Sequence, residues 1–203
     1  MGSASSGSRP RLVVATLNRA KGRELVALLD GVPFTLTLLA DVSAARLPEE
    51  TGGTYAENAL LKARAAARLT GAAALADDSG IEVDALAGEP GLRSARWGGA
   101  DLDDAGRNRL LLERLAGVPP ARRGARYVCV VAIVDAAGGE QVVEGTVRGV
   151  ITEAPRGDGG FGYDPIFFYP PFDRTFGEVT AAEKDRVSHR GQAVRAARKL
   201  LGG

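Results

Sequence analysis

The 203-residue chain contains a single cysteine, Cys129, which excludes an internal disulfide and a cysteine-rich zinc site. A lone thiol suits a reducing compartment, and we expect a cytoplasmic protein. No stretch approaches the roughly 18 uncharged apolar residues of a transmembrane helix, so we expect no membrane partner. The 26 Lys and Arg residues balance the 25 Asp and Glu residues to a net charge of +1. This charge argues against nucleic acid as a partner, but it leaves room for a local anion site.

Two nucleotide-binding motifs are also missing. The chain has no Gly-x-x-x-x-Gly-Lys-Ser/Thr, which excludes a P-loop nucleotidase. It has no Gly-x-Gly-x-x-Gly after its first apolar run, which argues against a dinucleotide-binding fold. His189 is the only histidine, and no serine or cysteine triad can be argued around it.

Residues 1–10 are rich in glycine and serine and lack the apolar core of a signal peptide. We expect them to be a disordered leader or a remnant of cloning. The rest of the chain, residues 11–203, shows no internal repeat and no linker, and we predict one domain there. Its apolar fraction of 45% is ordinary for a globular protein.

The apolar pattern predicts strands that alternate with helices. Strands are predicted over residues 12–15, 34–38, 72–76, 127–134, 141–151 and 164–168. Helices are predicted over residues 21–29, 55–69, 108–115 and 189–201, with a Thr54-x-x-Glu57 capping box before the second and Ser188 before the last. Early alternation and a late hairpin indicate an α/β fold with a mixed central sheet flanked by helices.

Acidic residues recur at the predicted element ends, as Glu49-Glu50, Glu57 and Asp77-Asp78. Carboxylate oxygens are natural ligands of Mg²⁺, which also binds substrate phosphates. If Asp77 and Asp78 continue a strand, only one of them faces a cleft, because adjacent strand residues point to opposite faces. The alternative is that the two glutamates are solvated, that Glu57 only caps a helix and that the aspartates begin a turn.

Basic residues form a second group, which comprises Lys21, Lys62, Lys184, His189 and Arg190. Lys21 and residues 188–190 lie at predicted helix starts, where the helix dipole disfavours a cation by about 0.3–1 kcal/mol. Their positions make sense if an anion is shared with the backbone N–H groups of the helix, which predicts a phosphate site. The alternative is that these side chains point to solvent.

Aromatic residues stand beside glycines in two loops. Residues 159–164 combine three glycines with Phe161 and Tyr163, and such a loop can close over a flat base and stack a ring on it. Packing of both rings into the core is the alternative, and Trp97 is open to the same two interpretations. Cys129 lies in the most apolar strand and is predicted to be a core residue.

Six segments, in this order, resemble one enzyme family closely. They are TLNRAK at 16–21, TYAENA at 54–59, ADDSGIEVD at 76–84, PGLRSAR at 90–96, GFGYDPIF at 160–167 and SHRGQA at 188–193. Nearly the whole chain is therefore similar to the inosine/xanthosine triphosphate pyrophosphatases, which remove non-standard purines from nucleotide pools. One departure is Leu17, where the family often has a small or glycine residue before the asparagine.

The resemblance implies two lobes around a substrate cleft. It further implies a hydrolase that uses Mg²⁺ to convert the nucleoside triphosphates (d)ITP and XTP to the monophosphate and pyrophosphate, usually as a homodimer. By motif, Asp78 matches the proton acceptor and metal ligand. Glu49 matches the other metal ligand, with Glu50 as the alternative because the match around Pro48 is loose.

The segments also imply which residues contact the nucleotide. The residues predicted to bind substrate are Thr16, Leu17, Asn18, Arg19, Ala20, Lys21, Ser79, Phe161, Gly162, Tyr163, Asp164, Lys184, His189 and Arg190. We add Lys62, which we expect to contribute positive charge along the phosphate tail. We expect His189, Arg190 and the backbone N–H groups of residues 161–164 to donate to the purine 6-oxygen. Two alternatives stay open: a hydrolase of modified pyrimidine nucleotides, and a catalytically silent nucleotide-binding module.

Overall fold

The computed structural model describes residues 9–42, 46–99 and 101–203, so most of the predicted leader lies outside the described residues. A mixed sheet in the order β2-β1-β3-β4-β5-β6-β7 forms its centre. The strands are β1 Arg11–Val14, β2 Thr35–Leu38, β3 Ala73–Val83, β4 Gly124–Val134, β5 Glu140–Ile151, β6 Phe167–Tyr169 and β7 Arg174–Thr175. The α-helices are α1 Arg19–Leu28, α2 Tyr55–Thr70, α3 Asp104–Arg114, α4 Ala181–Val187 and α5 His189–Leu200. This architecture confirms the predicted α/β fold with a mixed sheet flanked by helices.

The longest strands of the sheet are β3, β4 and β5, with 11, 11 and 12 residues. β1 pairs in parallel with both β2 and β3, and the remaining neighbours are antiparallel. Asp77 pairs with Val131 and Asp78 with Val130, so β3 continues through the two aspartates. The interpretation of Asp77-Asp78 as the start of a turn is therefore wrong, because the β4 ladder holds both residues in the sheet.

The two faces of the sheet carry different helices at the β1 end. Leu75 packs in one core cluster with residues of α1 and α5, whereas Ala74 and Ala76 pack in another with α2. Strand alternation then sends Asp77 to the α1 and α5 face and Asp78 to the α2 face. The expectation that adjacent residues point to opposite faces is confirmed, but neither aspartate is among the residues that line the cleft described below.

A separate core lies at the other end of the sheet. It joins the far ends of β3, β4 and β5 to α3 and β6, and it includes Trp97, Leu111, Tyr163, Phe167 and Phe176. Trp97 and Tyr163 are therefore core residues. The sheet thus carries two core clusters at the β1 end, one on each face, and a third at its other end, which is consistent with the two lobes that the resemblance implies.

The predicted elements agree with the observed ones except near the end of the chain. The segment predicted as a strand over residues 164–168 is a 3₁₀ turn, Asp164–Ile166, followed by the short strand β6. α4 was not predicted, although Thr180 and Glu183 form a capping box at its start. Among the helices of the described segments, none combines the length and the hydropathy needed to span a bilayer.

Candidate active site

A cleft of about 500 Å³ opens between the two lobes. Fourteen of the residues predicted to bind substrate line it, namely Thr16, Leu17, Asn18, Ala20, Lys21, Lys62, Ser79, Phe161, Gly162, Tyr163, Asp164, Lys184, His189 and Arg190. Segments that lie far apart in the sequence thus meet at one place. Asp78 lies just behind this wall, against Lys62.

Asp77 holds two cations from its buried position on β3. Its Oδ2 atom lies 3.3 Å from Nζ of Lys21, and 3.3 Å from both Nε and Nη2 of Arg190. Burial by itself would raise the pKa of Asp77, but the charges of Lys21, Arg190 and Lys62 hold this pKa well below its ordinary value. The carboxylate of Asp77 thus supplies part of the negative charge that the cations at the starts of α1 and α5 need.

Arg190 joins three elements from a fully buried position. Besides Asp77, its Nη2 donates to Oγ of Ser79 at 3.0 Å, and its Nη1 donates to Oε2 of Glu24 at 2.8 Å. Nζ of Lys21 also lies 3.3 Å from Oγ of Ser79. This network fixes the start of α5 and the start of α1 against β3, so Arg190 has a set position at the cleft wall.

Asp78 has a different environment on the opposite face. Its Oδ2 accepts from Nδ2 of Asn58 at 3.1 Å, and its Oδ1 lies 3.5 Å from Nζ of Lys62. Burial raises the pKa of Asp78 above its ordinary value, and nearby Glu50 adds to the rise, while Lys62 opposes it. Asn58 in turn accepts from the N–H of Gly52 at 2.8 Å, which ties the acidic loop to α2.

Glu50, rather than Glu49, reaches this position. Oε1 of Glu50 lies 2.6 Å from Nζ of Lys62, and its Oε2 lies 2.8 Å from Nη1 of Arg96. The side chain of Glu49 is exposed and is not part of the cleft wall. Lys62 therefore stands between two carboxylates, those of Glu50 and Asp78, that come from different elements.

Arg19 was predicted to bind substrate, but the structure does not bring it into the cleft. Its Nη1 lies 3.0 Å from Oδ1 of Asp41, and both side chains are exposed. At the start of α1, Arg19 and Lys21 are two residues apart and so face different sides of the helix. Asp77 attracts Lys21 inward, whereas Asp41 attracts Arg19 outward.

Phe161 forms an aromatic wall beneath two cations. Nζ of Lys184 lies 4.7 Å from the centroid of its ring, and Cζ of Arg190 lies 5.4 Å from it. Buried Asp164 accepts from the backbone N–H of Phe161 at 2.9 Å and from Nζ of Lys184 at 2.5 Å. The ring is only partly buried and borders the cleft, where it can stack on a flat ligand.

His189 is buried and stacks on Tyr127, with ring centroids 4.5 Å apart and planes 5° apart. Burial lowers the pKa of His189 well below its ordinary value, and the charges of Arg190 and Lys184 add to this effect. The imidazole is therefore neutral near pH 7, with one N–H donor and one acceptor nitrogen. Within the described part of the chain, its buried Nδ1 has no hydrogen-bond partner.

The backbone donors expected at the base are mostly engaged. The N–H of Phe161 donates to Asp164, that of Gly162 donates to Oδ2 of Asp104 at 2.7 Å, and that of Asp164 donates to the carbonyl of Phe161 at 3.3 Å. Of the four N–H groups in residues 161–164, two thus bond within the loop and one bonds to α3. Lys184 is better placed to donate, because it has three N–H groups and gives one to Asp164.

Three residues of the site were not assigned a role from the sequence. Asp77 was seen only as part of an acidic pair, and Asn58 and Glu24 were not considered. Asn58 and Lys62 are buried polar residues four apart on α2, a spacing that places them on one helix face. That pattern on an otherwise alanine-rich helix was the available signal.

The carboxylates of Asp78 and Glu50 suit Mg²⁺, which is usually bound by one or two carboxylates together with waters and substrate phosphates. Among the described residues, no three His, Cys, Asp or Glu side chains are grouped as a complete metal cage. The carboxylates of Asp78 and Glu50 both lie beside Lys62, and the pKa of Asp78 is raised. A divalent cation bound between them would stabilise the ionised form of both carboxylates. The residues present therefore fit this metal.

The profile of the Ham1 family matches residues 12–200. The chain belongs to the Ham1 family. A dITP/XTP pyrophosphatase of Frankia alni is 50% identical over 94% of this chain and 96% of its own length. A dITP/XTP pyrophosphatase of Thermus thermophilus is 52% identical over 92% of this chain and 89% of its own length.

Solved Ham1 structures share the fold. The HAM1 protein of Coxiella burnetii superposes with a TM-score of 0.86 at 38% identity, over 95% of this chain and 98% of that protein. The dITP/XTP pyrophosphatase of Mycobacterium abscessus superposes with a TM-score of 0.74 at 46% identity, over 92% of this chain and 98% of that protein. The resemblance drawn from the six sequence segments is therefore confirmed.

Proposed function

We propose that this Ham1 protein hydrolyses the non-standard purine nucleotides ITP, dITP and XTP to the monophosphate and pyrophosphate, and so cleanses the nucleotide pool. The observation that carries the proposal is the cleft itself. One end holds Lys21, Lys62 and two carboxylates, and the other end holds the Phe161 ring beneath Lys184. A triphosphate tail fits the first end and a purine base fits the second.

The chain's cations bind the phosphate tail. Lys21 follows the start of α1, where the side chain of Asn18 caps the helix by accepting the N–H of Lys21 at 3.0 Å. Helix N–H groups and two lysines together make a favourable anion site. Lys62 has to exchange part of its contact with Glu50 for phosphate when substrate binds.

Asp78 orients and deprotonates the attacking water. Burial raises its pKa in the metal-free protein, and with Mg²⁺ bound the metal would share in activating the water. Asn58 fixes the direction of its carboxylate. Asp78 and Glu50, rather than the predicted Glu49, would hold Mg²⁺, which would supply Lewis-acid stabilisation of the charge that develops on the pyrophosphate group.

Base selection rests on donors at the wall formed by Phe161. Inosine and xanthosine carry a 6-oxygen acceptor, whereas adenine carries a 6-amino donor. Lys184 and neutral His189 meet that oxygen as donors, while Arg190 is largely occupied by Asp77, Ser79 and Glu24. With ATP these donors lose their acceptor, at a cost of roughly 1–3 kcal/mol for each buried group.

The test is product analysis over a panel of ITP, dITP, XTP, ATP, GTP and modified pyrimidine triphosphates, each with Mg²⁺ and with EDTA. We expect pyrophosphate and monophosphate from the first three substrates, only when Mg²⁺ is present. Comparable kcat/KM for ATP and ITP would contradict the proposed base selection. Preference for a modified pyrimidine would favour the other hydrolase, and no turnover at all would favour the silent module.

The role of Asp78 has a matched control on the same strand system. Asp78→Asn keeps the size of the side chain but removes the base and a metal ligand, and we expect kcat to fall by about 10²–10⁴-fold. Asp84→Asn changes an exposed aspartate just beyond β3 and should leave kcat unchanged. Near-normal turnover of ITP by the Asp78 variant would show that another group activates the water.

Two further proposals concern the whole protein. We propose that it forms a homodimer, as the family resemblance implies, and sedimentation analysis at micromolar concentration tests this. We also propose that it acts in the cytoplasm, which subcellular fractionation tests.

A further inference from the structure

Helix α3 holds the peptide of Gly162 at two points. Oδ2 of Asp104 accepts the N–H of Gly162 at 2.7 Å, and Nδ2 of Asn108 donates to the carbonyl of Gly162 at 3.1 Å. Asp104 and Asn108 are four residues apart and therefore lie on one face of α3. Both bonds converge on one residue of the aromatic wall, and we call this pair the α3 clamp.

The backbone conformation of Gly162, next to the Phe161 ring that forms the aromatic wall, explains why hydrogen bonds from α3 matter here. Its φ of +64° is a left-handed conformation that costs glycine little and other residues more. The next residue, Tyr163, is anchored in the core, and its hydroxyl donates to the carbonyl of Ser94 at 2.9 Å. The two hydrogen bonds from α3 act on the Gly162 peptide itself, between that anchor and the Phe161 ring.

The opposite side of the wall is held separately. Asp164 binds the N–H of Phe161 and Nζ of Lys184, and Oδ1 of Asp164 lies 3.4 Å from the hydroxyl of Tyr127. The wall is thus fixed to the sheet at Asp164 and to the second lobe at Gly162. The Phe161 ring lies between these two attachments and borders the cleft.

We infer that Asp104 and Asn108 are positioning residues for purine recognition. The α3 clamp sets the angle of the Phe161 wall and so determines how well a base stacks against it. This inference rests on the proposed function for the identity of the substrate. Asp104 also lines the cleft and lies 3.6 Å from Nη1 of Arg107, which lines it too. Neither bond of the clamp involves Lys21, Lys62 or the carboxylates of Asp78 and Glu50, so we expect its effect on binding of the base.

The test compares Asp104→Ala with Asp104→Asn. The alanine variant loses the acceptor for the Gly162 N–H, and we expect the KM for dITP to rise about 5–20-fold with a much smaller change in kcat. The asparagine variant keeps an acceptor oxygen and should return KM to within about twofold of wild type. The side chain of Asp104 is exposed, so folding is expected to survive both substitutions.

Asp103→Ala is the matched control. Asp103 caps α3 by accepting the N–H of Gly106 at 2.7 Å, so its loss weakens the helix without removing either clamp bond. This variant should lower the melting temperature but leave KM unchanged. A KM increase equal to that of Asp104→Ala would overturn the inference, because the effect would then be general loosening of α3.

Inorganic tripolyphosphate separates base recognition from phosphate binding. Its inhibition constant should be equal in wild type and Asp104→Ala, because the clamp acts only on the wall, and an equal loss for both ligands would overturn the inference. Calorimetric binding of IMP, which needs no turnover, should weaken in step with KM. Wild-type protein that binds IMP but does not hydrolyse dITP would refute the proposed function, while the IMP comparison would still decide the clamp.

Discussion

Two adjacent aspartates on β3 have opposite electrostatic environments. Asp77 is surrounded by Lys21 and Arg190, and its pKa lies below the ordinary value despite burial. The pKa of Asp78 is raised by burial, with Glu50 adding to the rise against Lys62. Strand alternation is the cause, since it sends neighbouring side chains to faces covered by different helices. One residue step therefore separates a carboxylate that pairs with buried charge from the carboxylate proposed to activate water.

We expect the corresponding amide variants to differ in stability. Asp77→Asn leaves the buried Arg190 and the partly buried Lys21 short of a counter-charge and should lower the free energy of unfolding by about 3–5 kcal/mol. Asp78→Asn removes a carboxylate whose ionised form burial disfavours, so without metal it should not destabilise the protein. Urea denaturation at pH 7 with EDTA measures both. Equal losses for the two variants would contradict this account.

Glu82→Gln provides a control on the same strand. Glu82 pairs with Arg126 at 2.7 Å in a partly exposed ion pair, and such pairs contribute about 0–1 kcal/mol. The loss for Asp77→Asn should therefore clearly exceed that for Glu82→Gln.

The pH dependence of stability should also report on Asp77. Because its folded pKa is depressed, its contribution is fully present above the unfolded pKa of about 3.9 and is lost as the pH falls below that value. The stability gap between wild type and Asp77→Asn should therefore be constant above about pH 5 and narrow as the pH falls from about 4 to 2 in urea titrations. A gap that stays constant over this range would show that the charge of Asp77 is not responsible.

Among the elements, β3 shows how tertiary contacts override local preference. The Asp77-Asp78-Ser79-Gly80 segment has poor strand propensity, yet its register with β4 is continuous. Gly80 is needed there for close approach, because a Cβ atom would collide with the backbone of Gly91 and lie 2.8 Å from Oγ of Ser94. The loop that carries residues 91–94 can therefore pack directly on the strand.

Gly80→Ala should force this loop away from β3. We expect a loss of about 1–3 kcal/mol in the free energy of unfolding, as is typical of overpacking, together with a higher KM for dITP. Gly53→Ala is the control, because its nearest contact would be an ordinary 3.6 Å. Thermal melts and steady-state kinetics on both variants check the expectation, which fails if the two behave alike.

Local sequence patterns predicted most elements but not all of the site. Apolar periodicity located β1, α1, β4 and β5, and the capping box at Thr54 located the start of α2. The same kind of signal at Thr180 and Glu183 was present but was not used for α4. Which of Glu49 and Glu50 faces Lys62 could not be predicted, because an irregular loop has no periodicity and its direction depends on Asn58 holding Gly52.

At the scale of the whole molecule, the proposed metal site joins separate parts of the chain. Asp78 lies on β3, Lys62 lies on α2 and Glu50 lies in the loop before α2. A cation bound by Asp78 and Glu50 links these parts in the folded state only. Binding to the folded state alone must stabilise it by mass action.

We therefore expect Mg²⁺ to raise the melting temperature. At about ten times its dissociation constant, the ion should add roughly 1.4 kcal/mol, which corresponds to about 3–6 °C for a chain of this size. Differential scanning fluorimetry with MgCl₂, against KCl at matched ionic strength, measures the shift. Asp78→Asn and Glu50→Gln should lose it and Glu49→Gln should keep it, whereas loss in Glu49→Gln alone would restore Glu49 as the ligand.

The buried pairing of Asp77 with Arg190 spans 113 positions of the sequence. During translation, β3 leaves the ribosome long before α5, so Asp77 waits without its arginine while most of the chain is made. A nascent chain that stops short of α5 has neither the counter-charge nor a finished pocket. Nucleotide hydrolysis should thus begin only after almost the entire polypeptide has been synthesised.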